Sequence, residues 1–589
     1  MPTSTLQCQK SKNGENLKER DLSAWRAGLQ ADSQIFDRNI ELLSAIFYKR
    51  QQCLTESAIS ISQKSSVSES FVIPSQWEFK GTSIQGLASL VSRVRVTLPY
   101  DGHALKGEEC DMISGFTCRG KFKRQGTQAY VSSMNTPVST PYVDSVMMSV
   151  LKSQGFNPAI KPRNLYDPTL MKPAVERFSQ PDVRLPRDDS VEYARQCTFD
   201  VFARPQQIPY LAPLEESQLQ KALKLSASAG VPYDSKAKCL AFLDAYRREV
   251  QVREGVKAPN PCTMYKRTGP NGKVRPIWGY PLDMTIMEAR FARPLIDHFS
   301  KVTTPYVIGR TPWAISTRVT TMRDSRGTTY SLDYSKFDSS ISSDLIRLAF
   351  EVLATWFDPK VRKDLGWDII LRYFICTPFI FIDGKLYTGK RKGVPSGSYF
   401  TSIVDSIVNF FALNYLAHKC GRSLDYSKVM IMGDDSIFVL PGRGVKLEFM
   451  ERVLSSLGIK LNVEKSGINN YHFLGAVRKT GLPSLDTEEM LEKLVCPERS
   501  RHQFYKGLSF QGKRTAAISL LALYPYYEAE AVLRRFFRRD LLWWVFSIGL
   551  ADRSQPIPIT SGPAAATARM RGEELIFGTS RVSRLRAYF

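Results

Sequence analysis

Val429-Met-Ile-Met-Gly-Asp-Asp-Ser-Ile-Phe-Val-Leu440 is the stretch on which the fold turns. Two short apolar, β-prone runs flank a Gly-Asp-Asp-Ser core, the pattern of a hairpin closed by a tight turn. The apolar flanks require burial, so the turn carries Asp434 and Asp435 out of a packed sheet as adjacent carboxylates. Such a pair repels unless a cation neutralises it, and hard oxygen ligands suit Mg²⁺ or Mn²⁺. An ordinary hairpin with an acidic turn reads the same way in isolation. The neighbouring stretches decide.

Upstream, Thr328 to Leu332 is a β-prone run that ends in Asp333-Tyr-Ser-Lys-Phe-Asp338. A helix follows, with Leu345, Leu348, Ala349, Val352, Leu353 and Trp356 on one stripe and Ser343 or Ser340 as its expected cap. Asp333 therefore sits at the end of a buried strand, where a carboxylate is costly unless it is paired or binds metal. Asp338 lies near the strand-to-helix turn, within reach of a hydroxyl. Gly393-Val-Pro-Ser-Gly397 opens a second helix, on which Thr401, Asp405 and Asn409 form one polar stripe beside Ile403, Ile407 and Phe411. A polar stripe on a greasy helix faces either water or a ligand.

Tyr265 to Pro281 supplies the complementary charge. Lys266, Arg267, Lys273 and Arg275 surround a Pro-Asn-Gly turn, which predicts a basic hairpin with Lys273 and Arg275 on one strand face. Two cations so placed suit a triphosphate or a phosphate backbone. A solvated cationic hairpin is the plain alternative. Leu225 to Tyr233, with Ser228, Gly230 and Pro232, reads as a loop whose backbone can approach another chain closely.

At 589 residues the chain is long enough for one large multi-lobed enzyme or three to four small domains. A net charge of +24 implies a polyanionic partner, nucleic acid before anionic membrane. The ten cysteines are scattered and read as reduced core thiols of an intracellular protein, and the five histidines show no zinc spacing. The N-terminus shows no signal-peptide core, and the most apolar run, Leu541 to Leu550, is too short to span a bilayer.

The remaining stretches are less specific. A helix is expected around Ile40 to Gln51, a Ser-rich stretch from Ser57 to Ser70, a surface loop from Ser132 to Pro141, and an extended connector from Pro158 to Pro213. Leu447, Met450, Leu454 and Leu457 mark a helix stopped by Gly458; Ile459 to Val463 alternates as a strand before Lys465; Phe473-Leu-Gly475 sits in a short hairpin. From about Glu488 the chain reads as helical, basic and aromatic, notably at Arg534 to Arg539 and Leu541 to Phe546.

In order, Asp333-x4-Asp338, Ser396-Gly-x3-Thr401 and Gly433-Asp-Asp435 resemble the palm motifs of viral RNA-dependent RNA polymerases. The match covers residues 225 to 480. Lys273-Val-Arg-Pro-Ile-Trp-Gly-Tyr-Pro281 and Gly393-Val-Pro-Ser-Gly-Ser-Tyr-Phe-Thr401 look most like the partitiviruses, double-stranded RNA viruses related to picobirnaviruses. The resemblance implies an α+β right hand of fingers, palm and thumb, with an antiparallel palm sheet backed by helices. Its expected boundaries are 1–150 for an N-terminal extension bridging fingers and thumb, 151–325 fingers, 326–358 and 393–485 palm, 359–392 a fingers insertion, and 486–589 thumb and C-terminal region.

The resemblance also implies roles. Asp333, Asp434 and Asp435 would hold two Mg²⁺ ions, with Mn²⁺ as substitute; Lys465 would be the general acid; and Lys273 and Arg275 would hold the triphosphate. Asp338, Thr401, Asp405 and Asn409 would read the sugar, Ser396 and Gly397 would form a flexible loop on template or nucleotide, and Ser228, Gly230, Pro232 and Lys266 would touch the template. Implied partners are RNA template and product, NTPs and a capsid protein, without a membrane, inside a virion in the host cytoplasm. One departure stands out: position 405 is Asp where the related picornavirus-like pattern has Asn, so an acid–acid contact with Asp338 needs a shared proton or a bridging donor. Two rivals are a reverse transcriptase, whose pattern places a bulky aromatic where Asp338 stands, and a basic RNA-packaging protein.

Overall fold

The computed structural model describes residues 113–122, 127–223, 228–233, 237–479 and 483–522, with a few isolated positions beyond. The expected helix at Ile40 to Gln51, the Ser-rich stretch to Ser70, Leu225 to Ala227 and nearly all of the basic, aromatic segment from Arg534 to Leu550 lie outside them.

In chain order, the elements that position the site are β1 (Thr117–Lys121), α1 (Ser145–Lys152), α2 (Asp189–Phe202), β2 (Cys262–Thr268), β3 (Val274–Gly279) and α3 (Leu282–Lys301). Then come β4 (Thr328–Leu332), α4 (Ser343–Ala354), β5 (Phe379–Ile380), β6 (Lys385–Thr388) and α5 (Thr401–Lys419). The acidic hairpin is β7 (Val429–Met432) and β8 (Asp435–Leu440), followed by α6 (Leu447–Ser455), β9 (Gly467–Ile468), α7 (Thr487–Val495) and α8 (Phe510–Ala522).

Two sheets organise the chain. The first runs β7-β8-β4-β9 with every ladder antiparallel; β4 pairs with β8 from Thr328↔Leu440 to Leu332↔Ser436. Its strands are short and apolar because both faces are covered: β8 is buried from Ser436 to Leu440. Helices α4 and α5 back it, and α5 lies along α2 in the largest apolar cluster, with Phe202, Phe350, Phe400 and Phe410. The second sheet runs β1-β6-β5-β2-β3 and carries the basic hairpin at its edge. Only β2 and β5 pair in parallel there. Sequence-distant strands thus share one sheet, β5 and β6 joining β2 and β3.

A third cluster gathers α1 with α7 and α8 (Met147, Leu151, Met490, Leu494, Leu521), so the boundary drawn at residue 150 falls inside a helix packed against residues 485–521. Its polar centre is Asp144. One oxygen caps α1 by accepting Met147 N–H at 2.9 Å; the other takes Arg501 at 3.1 Å and the Tyr505 hydroxyl at 2.9 Å. Buried charge of this kind persists only when paired and hydrogen-bonded.

Several expectations are corrected. The connector from Pro158 to Pro213 contains α2, capped by Asp188 accepting Val191 N–H; its flanking prolines hid the Ala194-Thr198-Phe202 face. Ser132 to Asn135 end a helix, Thr127–Asn135, instead of opening a loop. Ser342 caps α4, neither Ser343 nor Ser340. Ile459 to Val463 is no strand: Leu461 makes a single bridge to Tyr334, and the strands flanking β4 are β8 and β9. No helix among the described residues is long and apolar enough to cross a membrane.

Candidate active site

The β7–β8 ladder ends on Met432↔Asp435, leaving Gly433 and Asp434 as a two-residue loop. Gly433 takes φ +64°, a conformation side chains resist, so the tight turn needs glycine there. Asn409 holds this turn from behind: its amide donates to Gly433 O at 3.0 Å and Asp434 O at 3.2 Å, while its oxygen accepts the Tyr334 hydroxyl at 2.9 Å. Ser406 Oγ accepts Gly433 N–H at 2.8 Å. Asn409 is fully buried and its polar atoms are engaged, so it positions the acidic turn and does not face a nucleotide as its place on the stripe predicted.

Because Leu332 pairs with Ser436, the next step of that ladder sets Asp333 beside Asp435. Burial and then Asp434 and Asp333 push Asp435 up to about 7, while Arg478 opposes. Asp434 stands exposed at the turn tip but is flanked by protein; that flanking burial and Asp333 raise it, against Arg275. Asp338 is pushed up to about 6 by burial and by Asp434, again against Arg275. Asp405, on α5, is raised well above the carboxylate range by burial, then by Asp338 and Asp434, and its Oδ1 is buried without a hydrogen-bond partner. The charge of Asp338 thus bears on Asp405, and the protonated form is favoured at position 405.

Arg275 and Lys273 face this cluster. Lys273 is lowered by partial burial, then by Arg275 and Lys465, and is drawn up by Asp333. The exposed Lys465 thus shares the cleft. Arg267 lies opposite Arg275 on the hairpin but forms a two-pronged pair with Glu498, at 3.0 and 3.2 Å. Lys266, one position earlier, points to the other face and stacks 3.5 Å over Tyr166, so the structure does not bring it to the carboxylates.

The Gly393–Phe400 loop is anchored, where a flexible loop was expected. Ser396 Oγ accepts Trp278 N–H at 3.2 Å, and a Cβ on Gly397 would run into the Trp278 carbonyl, so only glycine permits this approach to β3. Glu288 on α3 accepts Ser398 Oγ at 2.8 Å and Tyr399 N–H at 2.9 Å. Burial pushes Glu288 up to about 8. Lys390, buried and lowered to about 7, donates to Gly393 O at 2.7 Å and to two carbonyls ending the Trp367–Cys376 helix. Thr401 gives its hydroxyl to Pro395 O at 2.8 Å. Gly230 is buried against Tyr280 and Pro281, while Ser228 and Pro232 are exposed beside it. Glu288, Lys390, Asn462 and Arg478 were not foreseen from sequence, because none belongs to a motif whose spacing points to the site.

Among the described residues, no three Asp, Glu, His or Cys side chains are gathered closely enough to form a ready-made cation cage. The donor chemistry nevertheless fits a divalent ion. Beyond burial, Asp333 raises both Asp434 and Asp435, and Asp434 raises Asp435, a repulsion that a hard cation relieves.

Residues 154–542, more than half of the chain, match the family model of viral RNA-dependent RNA polymerases. The chain belongs to that family. It is 29% identical over 280 residues to the RNA-directed RNA polymerase of Cryptosporidium parvum virus 1, covering 42% of this chain and 50% of that protein. It is 29% identical over 158 residues to the RNA-directed RNA polymerase of Atkinsonella hypoxylon virus, covering 25% and 24%. The chain thus spans half the length of the first relative and about a quarter of the second. The crystal structure of a human picobirnavirus RNA-dependent RNA polymerase superposes with a TM-score of 0.56 at 17% identity, over 75% of this chain and 94% of that one. The fold is the α+β right hand, with β7-β8-β4-β9 as its antiparallel sheet.

Proposed function

We propose that the protein is an RNA-dependent RNA polymerase that copies viral RNA from NTPs by nucleotidyl transfer. The observation that carries this reading is the meeting of Asp333 with Asp434 and Asp435 at one end of the antiparallel sheet, with Arg275 and Lys273 facing them. The reaction is an in-line attack of a 3′-hydroxyl on an α-phosphate with pyrophosphate leaving. Asp333 and Asp434, supported by Asp435, would hold two Mg²⁺ ions, or Mn²⁺ in their place. Such ions supply a lowered barrier to deprotonating the hydroxyl and neutralise charge on the leaving group.

The chain's own residues do the rest. Arg275 and Lys273 bind the triphosphate through charge-assisted hydrogen bonds. Lys465, exposed in the same cleft, delivers a proton to the departing pyrophosphate. Asp338 accepts a hydrogen bond from the 2′-hydroxyl, the group that separates NTPs from dNTPs. With the Thr401 hydroxyl given to Pro395, Asp405 is the α5 residue left to assist it, and its protonated form supplies a donor.

The partitivirus likeness extends the proposal. On that likeness we propose a double-stranded RNA genome, transcribed and replicated in the virion interior, with the capsid protein as partner. The test is to incubate the full-length protein with an RNA template, Mg²⁺ and labelled NTPs or dNTPs, and to size the product. Template-length RNA from NTPs is expected. DNA from dNTPs would favour a reverse transcriptase, and Mg²⁺-independent RNA binding without synthesis would favour a packaging protein.

A further inference from the structure

The segment after α6 grips the end of β4 through its backbone. Ser335 N–H donates to Lys460 O and Asn462 N–H to Asp333 O, each at 2.8 Å, and Leu461 bridges Tyr334. These contacts already tie the two chains together, so the Asn462 side chain is not needed to hold the segment in place. Its amide nevertheless donates to Asp333 Oδ2 at 3.0 Å. A carboxylate turns easily about its last bond. One donor on one oxygen stops that rotation and leaves the second oxygen for another partner.

The same turn supports Asp333 from its other side, where Ser466 Oγ accepts Asp333 N–H at 3.1 Å. It closes on itself as Lys465 N–H and Ser466 N–H both donate to Asn462 O, at 3.2 and 2.9 Å. One tight turn therefore holds the Asp333 carboxylate and carries Lys465 into the cleft.

We propose that Asn462 is a positioning residue for the divalent cation: its amide orients Asp333 so that the carboxylate presents a fixed oxygen to the ion. This rests on the metal-dependent reading above. Partners that orient a ligand in this way typically alter metal affinity or activity by about 10- to 100-fold when removed.

The probe is Mn²⁺, titrated into metal-free, full-length protein while the electron paramagnetic resonance signal of the unbound ion is followed. Asn462→Leu keeps the bulk and removes the donor; Asn462→Ala removes both. The expected result is Mn²⁺ affinity weakened about tenfold or more in both variants. The Mg²⁺ concentration for half-maximal synthesis should rise in parallel, and KM for NTP at saturating Mg²⁺ should stay within about twofold. A purely structural role would lower the metal-free Tm and leave Mn²⁺ affinity unmoved. Affinity within about twofold of wild type in a folded variant overturns the inference, and Asn462→Ala decides if Asn462→Leu does not fold. Wild-type protein that binds no Mn²⁺ and makes no RNA would count against the polymerase reading itself.

Discussion

Asp338 and Asp405 pose the sharpest question at the residue scale, because Asp405 stands where the related pattern has an amide and the charge of Asp338 helps to raise it. If Asp338 accepts the 2′-hydroxyl, a deoxynucleotide leaves that buried acceptor unsatisfied, at a cost of about 1–3 kcal/mol, roughly ten- to a hundredfold in discrimination. Asp338→Ala should lower GTP use far more than dGTP use, read as the ratio of kcat/KM on one template. An unchanged ratio would move sugar reading to Asp405. Arg275→Ala should chiefly raise KM for NTP, since Arg275 is the cation that faces the carboxylate cluster and favours the ionised forms of both Asp338 and Asp434; normal NTP kinetics would remove it from the triphosphate site. The acidic residues were legible from sequence because each sits in a short motif with a physical reason. Asn409 was legible only as a member of the stripe. A four-residue spacing places residues on one face of a helix, and it does not say that the face meets the backbone of the β7–β8 turn.

At the scale of elements, the anchored Gly393–Phe400 loop links β3 and α3 to α5 through Ser396, Gly397 and Glu288. Glu288 sets a pH dependence. Its folded value, about 8, lies above the ordinary 4.5, so the native state holds a proton that the unfolded chain has lost. The associated stability is complete below about pH 4.5 and is lost as pH rises toward about 8. Glu288→Gln carries no ionisable group, so its Tm should gain on wild type steadily across that window and keep a constant lead above it. A Tm difference that does not vary between pH 5 and 8 would show that Glu288 is ionised in the fold, with the window itself taken from linkage. The helices and the two hairpins were legible because apolar period and turn residues agree. Helix α2 and the false strand at Ile459 to Val463 were not. In the first, prolines on both sides outweighed a weak apolar face; in the second, alternation was real but the partner strand lies at Gly467–Ile468.

At the scale of the whole molecule, the net charge of +24 predicts that template affinity falls steeply with salt, because phosphate contacts release condensed counterions. An affinity unchanged between low and physiological ionic strength would remove the electrostatic account of RNA binding. Arg267–Glu498 ties the β2–β3 hairpin to the segment after α7 on the surface, and Asp144–Arg501 ties α1 to that segment in the interior. The two differ in weight. The exposed pair is worth little, whereas Asp144→Ala strands a buried guanidinium and should cost about 3–5 kcal/mol, seen as a lower denaturation midpoint. None of these long-range pairs was legible, since no local pattern announces a partner hundreds of residues away.

The central claim is that the carboxylates at the ends of β4 and β7 perform templated RNA synthesis. Its most direct test compares full-length wild type with Asp434→Asn in Mg²⁺, on one RNA template, measuring product and template affinity together. An amide cannot replace a carboxylate as ligand to a divalent ion, while template affinity rests on Lys and Arg elsewhere. The account predicts no template-length RNA from Asp434→Asn and RNA binding within about threefold of wild type. Synthesis by that variant above about a tenth of the wild-type rate would contradict it.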